Sequence, residues 1–240
     1  MKTQTKKKIR CLSKRLLREL TGSCYACKKL QDIKEEMAED IRVIKERDPA
    51  AKSDLEVLFL YSGLHAVWAH RISHALYKKE LYVPARLISQ AAKFLTGIEI
   101  HPGATLGKGL FIDHGTAVVI GETAEIGENC TLYQGVTLGG TGKDTGKRHP
   151  TLGDNVMVGA GAKVLGPIRI GNNVRIAAGA VVLMDIPDNC TAVGVPARIA
   201  RRDGLKVPDL DQIHIPDPVS QALCRIDGRL DRIEKQLKEE

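Results

Sequence analysis

The stretch Leu152-Gly153-Asp154-Asn155-Val156-Met157-Val158-Gly159-Ala160-Gly161-Ala162-Lys163-Val164-Leu165-Gly166-Pro167-Ile168-Arg169-Ile170-Gly171-Asn172-Asn173-Val174-Arg175-Ile176 decides the fold. Leu152, Val158, Val164, Ile170 and Ile176 are spaced six apart, and the step continues to Val182. Towards the N-terminus, Ile120, Ile126, Leu132 and Leu138 keep the same step in a second phase, and Ile100, Leu106 and Ile112 in a third. Gly often follows the aliphatic, as at Gly107, Gly121, Gly127, Gly153 and Gly171. Four positions after it sits a small or β-branched residue, such as Ala104, Ala124, Val136, Val156, Ala162 or Val174.

A period of six matches neither a 3.6-residue helix nor a two-residue strand alternation. It fits short strands joined by tight corners, with one aliphatic per side pointing inward and Gly relieving the turn. Three sides make a coil of about 18 residues. Sandwich strands would need alternating runs of about 4–8 residues, which are absent. Of the 23 Gly, eighteen lie between Gly103 and Gly194, where the aromatics are Phe111 and Tyr133 alone. Two interruptions break the rhythm. One is a two-residue slip at Ile112-Asp113-His114-Gly115; the other is the segment from Gly139 to Pro150. Regular coils are occupied with packing, so function belongs in the interruptions.

Before the repeats the chain reads helical. Ile33, Met37, Ile41 and Ile44 form an apolar stripe ending near Asp48-Pro49. Ser53-x-x-Glu56 is a capping box, predicting a helix to about Tyr77. A further helix is expected from about Pro84 to Leu95, stopped by Gly97. After the repeats comes a Pro-containing linker. Val219, Leu223, Ile226, Leu230, Ile233 and Leu237 then follow heptad spacing, which suits self-association or a helix folded back on the body. The expected organisation is a basic arm over 1–29, a helical domain over 30–97, a solenoid over 98–202, and a linker with heptad helix over 203–240.

The net charge of +7 invites a nucleic-acid reading. Residues 1–18, however, hold eight Lys and Arg and no acid. Without them, 28 bases face 29 acids, so the body is neutral. Three Phe, five Tyr and one Trp are too few for a base-stacking surface. No apolar run approaches the roughly 20 residues of a membrane helix, and no apolar signal segment opens the chain. Neither a nucleic-acid nor a membrane partner is expected. Six scattered Cys suggest reduced thiols in a cytoplasmic protein. Cys24-x-x-Cys27 has no second pair, so no metal is expected there.

Glu99 and His114 stand 15 residues apart, close to one coil, so the carboxylate can lie near the imidazole one layer away. Such a pair makes His a general base by orienting the ring and stabilising the imidazolium. No Ser or Cys nucleophile is evident, so His114 would activate a substrate hydroxyl. His65, His70, His74 and His214 read as structural or solvated. A three-His metal site with His101, His114 and His149 is disfavoured, because His101 is expected far from the Gly-rich loop.

Several runs together resemble the serine O-acetyltransferase family: Glu99-Ile100-His101-Pro102-Gly103-Ala104, Ile112-Asp113-His114-Gly115, Gly121-Glu122-Thr123, Gln134 to Lys143, and Arg148-His149-Pro150. Arg47-Asp48-Pro49-Ala50 and Gly63-Leu64-His65-Ala66 match its helical domain, and Gly194-Val195-Pro196-Ala197-Arg198 is common to hexapeptide acyltransferases. The resemblance implies an α+β chain: a left-handed parallel β-helix, the hexapeptide-repeat solenoid, behind an N-terminal α-helical domain. It implies acetyl transfer from acetyl-CoA to L-serine, giving O-acetylserine for cysteine synthesis. His114 would be the base, with Glu99 in a place where the family often has Asp. Serine would be bound by Asp48, Asp113, Arg148 and His149. Acetyl-CoA would pass Gly140, Ala160 and Ala178 in a groove between subunits of a homotrimer, in some members doubled to a dimer of trimers. Cysteine is the implied feedback inhibitor. Members that dock into O-acetylserine sulfhydrylase use a C-terminal Ile; this sequence ends Lys238-Glu239-Glu240, so that complex is not expected. Another small hydroxyl acceptor, or a non-catalytic scaffold, is the alternative reading.

Overall fold

The structure, a computed structural model, describes residues 35–142 and 145–202, together with Ile226 and Arg229. The basic arm, Cys11, Cys24, Cys27, His214, Cys224, the linker and most of the heptad positions lie outside the described residues. Ile226 is helical and 52 % exposed.

The six-residue step becomes a three-sided coil. One sheet contains Glu99–Ile100 (β1), Val119–Ile120 (β4), Thr137–Gly139 (β7), Lys163–Leu165 (β10) and Val181–Val182 (β13). The second contains Thr105–Leu106 (β2), Glu125–Ile126 (β5), Thr151–Leu152 (β8) and Arg169–Ile170 (β11). The third contains Phe111–Ile112 (β3), Thr131–Leu132 (β6), Met157–Val158 (β9), Arg175–Ile176 (β12), Cys190–Val193 (β14) and Arg198–Arg202 (β15). All pairings are parallel except β14 with β15. The result is a left-handed parallel β-helix, an exception to the usual right-handed crossover.

Register explains the repeat. Ile100, Ile120, Leu138, Val164 and Val182 stack in one column, and Ile112, Leu132, Val158, Ile176 and Ala192 in another. These residues are buried, and Ala104, Ala124, Cys130, Val136, Ala162 and Ala180 fill the corners between columns. Each buried Val, Leu or Ile contributes about 1.5–3 kcal/mol. Corners at Asn129, Asn155, Asn173 and Asn189 take φ of 55–57°, where Asn is tolerated better than most residues. Their amides also form a ladder: Asn155 Nδ2 donates to Asn173 Oδ1 at 3.3 Å, and Asn173 Nδ2 to Asn189 Oδ1 at 3.0 Å.

The helical domain caps the first coil. Helix α1 covers residues 35–47, α2 Asp54–Leu60, α3 Ser62–Tyr77 and α4 Tyr82–Thr96. The single helix expected from Ser53 to Tyr77 is two. Ser53 caps it as predicted, accepting from Glu56 N at 3.1 Å, but Tyr61 turns extended at φ −89°, ψ 102°. That break lets Gly63 lie against the Ile112 backbone, where a Cβ would overlap the carbonyl oxygen. Phe111 joins Val43, Ile44, Val57 and Leu64 in a small core between helices and coil. Gly97 ends α4 at φ 72°. Arg47 clamps α1 to the solenoid: Nη1 donates to Asn129 O at 3.1 Å and Thr131 Oγ1 at 3.2 Å, and Nη2 to Asn129 Oδ1 at 3.2 Å.

Helix α3 crosses the end of the prism. Its first residue, Ser62, donates to His114 O at 3.3 Å. Near its far end, His70 and His74 hydrogen-bond Ala104 O at 3.1 Å and Pro102 O at 2.7 Å. His65 bonds Leu58 O at 2.7 Å, so all three are structural, as expected. Burial pushes His70 down to about 4. In the unfolded chain His titrates near 6.5, so between those values the unfolded state binds more protons. This stability is present above pH 6.5 and lost as pH falls towards 4. Unfolding free energies from urea titration at pH 7 and pH 5 should therefore differ by about 2 kcal/mol more in the wild type than in His70→Gln. Equal pH dependence in the two proteins would contradict the buried neutral imidazole.

Candidate active site

The two interruptions sit on two edges of the first sheet. From β3 to β4 the aliphatic step is eight instead of six, and the two extra residues widen the corner between the third and first sheets. His114 takes φ 57°, Gly115 77° and Ala117 61°. Where the later corners of this edge use Gly135, Gly161 and Gly179, this one also puts a His in the left-handed region, a strained choice for a residue with a side chain. The His114 side chain is 73 % exposed, and Asp113 Oδ1 lies 4.0 Å from its Nε2. Asp48 reaches the same neighbourhood from the turn after α1. Its Oδ2 accepts from Tyr61 OH at 2.6 Å and its Oδ1 from Ala50 N at 2.8 Å. Burial raises Asp113, and the Asp48 charge raises it further, while His114 opposes both. A second carboxylate beside Asp113, one that disfavours its charge, makes a seat for a cation.

Glu99 is on β1, beneath this corner. Ala117 N donates to Gly97 O at 2.9 Å, and a Cβ on Gly115 would overlap the Ile98 side chain. In the single chain the Glu99 carboxylate binds Lys93 Nζ at 2.5 Å; the carboxylate within 4.0 Å of the His114 ring is that of Asp113.

Further along the same edge, each coil presents a small-residue corner. Gly135 N donates to Thr116 O, Gly161 N to Gln134 O and Gly179 N to Ala160 O, all at 2.8 Å. Gly135, Gly161 and Gly179 take φ of 68–70°, and nothing lies within 4 Å of a Cβ on Gly161 or Gly179. Ala160 and Ala178 therefore line an open, shallow rib running away from His114. Gly140 is elsewhere: it begins the long loop on the other edge, 3.3 Å (as a notional Cβ) from Arg148 O.

That other edge, between the first and second sheets, carries Arg148 and His149. Thr123 organises both. Its Oγ1 accepts from Arg148 N at 3.0 Å and from His149 N at 3.1 Å. Its own N donates to His149 Nδ1 at 3.2 Å, and its hydroxyl lies 2.9 Å from that atom. Because Nδ1 accepts a backbone N–H, the ring proton is on Nε2. Burial and then Arg148 hold His149 below its ordinary range, so it is a neutral Nε2–H donor. Arg148 Nη2 donates to Glu122 Oε2 at 2.5 Å. Lys147 Nζ adds bonds to Thr123 O at 2.7 Å and Glu125 Oε1 at 3.0 Å.

His101 differs from expectation. Instead of lying far from the loop, it occupies the same edge, one coil below Glu122 and two below the loop, where Glu122, Arg148 and His149 all act on its charge. Three contributors were not singled out by residue type: Tyr61, Tyr77 and Glu122. Thr123 and Glu122 did stand in a quoted motif, but their role comes from pairing across 24–26 residues, which a linear pattern does not display.

The side chains thus form two clusters. Asp48, Asp113 and His114 lie near the start of α3; Glu122, Thr123, Arg148 and His149 lie near its end. Fifteen steps of helix separate Ser62 from Tyr77, about 22 Å. No serine-sized molecule spans that distance.

A hexapeptide β-helix with its polar chemistry concentrated in interrupted corners is a fold of bacterial acyl-group transferases. Residues 149–183 match the family described as bacterial transferase hexapeptide (six repeats), and residues 3–69 match the serine acetyltransferase N-terminal family. A serine acetyltransferase of Staphylococcus aureus (strain Mu50 / ATCC 700699) is 55% identical over 197 residues, 82% of this chain and 92% of that protein. Among solved structures, the serine acetyltransferase of Neisseria gonorrhoeae in complex with serine is 45% identical, with TM-score 0.68 over 71% of this chain and 70% of that one. That of Brucella abortus strain S19 in complex with coenzyme A is 41% identical, with TM-score 0.71 over 75% and 72%. The chain belongs to the serine acetyltransferase family.

Gly121 explains how His149 fits: a Cβ there would overlap the imidazole. In Gly121→Ala the ring should leave Thr123, and its titration should rise towards the ordinary value of about 6.5. NMR of the His149 Cε1–H reads this directly. An unchanged titration would show that the ring does not lodge against Gly121.

Proposed function

We propose that this protein is a serine O-acetyltransferase, forming O-acetylserine and CoA from L-serine and acetyl-CoA. The observation that carries the residue roles is the corner at His114: an exposed imidazole in a strained left-handed turn, beside Asp113 and at the head of the small-residue rib. His114 takes the proton from the serine hydroxyl as the oxygen attacks the thioester carbonyl carbon. The tetrahedral intermediate collapses with cleavage of the C–S bond, and the imidazolium returns its proton to the departing CoA sulfur. Glu99, whose strand underlies the corner, orients the imidazole after exchanging Lys93 for His114. Asp48 and Asp113 hold the serine ammonium, and Arg148 takes its carboxylate, as a guanidinium is shaped to do. His149 presents its Nε2–H to the substrate oxygen. Ala160 and Ala178 leave room along the rib for the pantetheine arm, and Gly140 does so on the opposite edge.

Since one chain holds its two clusters at opposite ends of α3, the complete site is built between copies. Each copy offers its His114 edge to one neighbour and its Arg148 edge to the other. Around a three-sided prism this closes as a trimer. The exposed apolar faces of α2 and α4, with Phe59, Leu60, Leu87 and Phe94 outward, suit a second layer of contact that would double it. Cysteine replaces the serine hydroxyl by a thiol and would compete for the same seat. No helix among the described residues is long and apolar enough to cross a membrane, in keeping with a cytoplasmic enzyme.

Thiol release from acetyl-CoA should require L-serine, and other hydroxyl acceptors should be much poorer. His114→Ala should lower kcat by about 10²–10⁴-fold. A variant as active as the parent, or equal rates with a sugar acceptor, would overturn the reading.

A further inference from the structure

Arg148 does not stand alone. Its Nη2 is held by Glu122 Oε2, and the other oxygen of that carboxylate, Oε1, accepts from Tyr77 OH at 2.9 Å. Both oxygens of Glu122 are therefore committed, which fixes the plane of the carboxylate and leaves the remaining Arg148 donors free to point outward. The Arg148 and Glu122 side chains are 30 % and 31 % exposed, so water competes only in part for these bonds. Glu122 has room because Gly103 lies below it: a Cβ there would sit 3.0 Å from Glu122 O and 3.1 Å from its Cγ.

The Tyr77 ring is itself held. It meets Tyr82 edge-on, with centroids 5.0 Å apart at 70°, and His101 at 5.7 Å and 80°. As the last residue of α3, it projects from the helical domain onto the solenoid edge. The electrostatics agree with the geometry: the Tyr77 bond, ahead of Arg148, holds Glu122 below the usual carboxylate range, and the same bond raises the phenol. A helix outside the catalytic coil thus sets the direction of a side chain on it.

We propose that Tyr77 is a positioning residue for substrate binding: through Glu122 it aims the Arg148 guanidinium at the carboxylate of the amino-acid substrate. The inference rests on the reading of Arg148 as the carboxylate site. Tyr77 touches no substrate. Its effect must therefore appear only where a substrate carboxylate is present.

The test compares L-serine with L-serinamide, which keeps the hydroxyl and ammonium but lacks the carboxylate. In Tyr77→Phe, the KM for L-serine should rise about three- to tenfold, with kcat within about twofold. The KM values for acetyl-CoA and L-serinamide should stay at the parent level. Glu122→Gln, which keeps the shape of the side chain, should give the same selective pattern more strongly and serves if Tyr77→Phe folds poorly. In an Arg148→Lys background, Tyr77→Phe should add nothing to the serine KM. If Arg148→Lys itself fails to distinguish serine from serinamide, the carboxylate reading of Arg148 falls. If Arg148→Lys distinguishes them while Tyr77→Phe and Glu122→Gln do not, or weaken both substrates equally, the positioning role falls and the contact is merely structural.

Discussion

Everything in this molecule depends on the parallel stacking of one aliphatic per side in successive coils. Ile120 over Ile100, Leu138 over Ile120 and Val164 over Leu138 leave no freedom of register, because a shift would pull an aliphatic from the column and bury a polar neighbour. The prism this creates is rigid, so any residue inserted between two columns must go outward. The two residues added before Ile120 push out Asp113 and His114. The longer insertion before Leu152 delivers Arg148 and His149. Packing dictates where chemistry can occur.

The strength of that constraint explains what was legible in the sequence. The six-residue step exposed the solenoid directly, since each inward position is an aliphatic and each was found buried or, like Leu106, packed against the core. The interruptions were equally plain. The helical domain was less so: Tyr61 ends α2 without Gly or Pro, and the reason, the approach of Gly63 to Ile112, lies 49 residues away in sequence. The same distance hid Thr123, Glu122 and Tyr77. Their types are ordinary, and only the coil brings them to Arg148 and His149. His101 comes near the loop, against the expectation from sequence, because residues far apart in the chain share one edge of a prism.

The helical domain acts as a measuring rod as well as a cap. α3 holds the backbone of His114 at one end and Glu122 at the other. Arg47 ties α1 to the corner carbonyls, which puts Asp48 beside Tyr61 and Asp113. Both clusters are thus set by contacts between the helical domain and the coil. The same rod keeps the clusters of one chain apart, which is why the proposed site needs a second copy to complete it.

In the proposed site, the base and the carboxylate-binding arginine come from different chains. The direct measurement mixes two subunits, His114→Ala and Arg148→Ala, each inactive alone, and assays the reassociated protein. A site shared between copies predicts that activity returns, to about a quarter of the parental value for random assembly of equal amounts. A mixture that reassociates but stays inactive would show that each site is built within one chain.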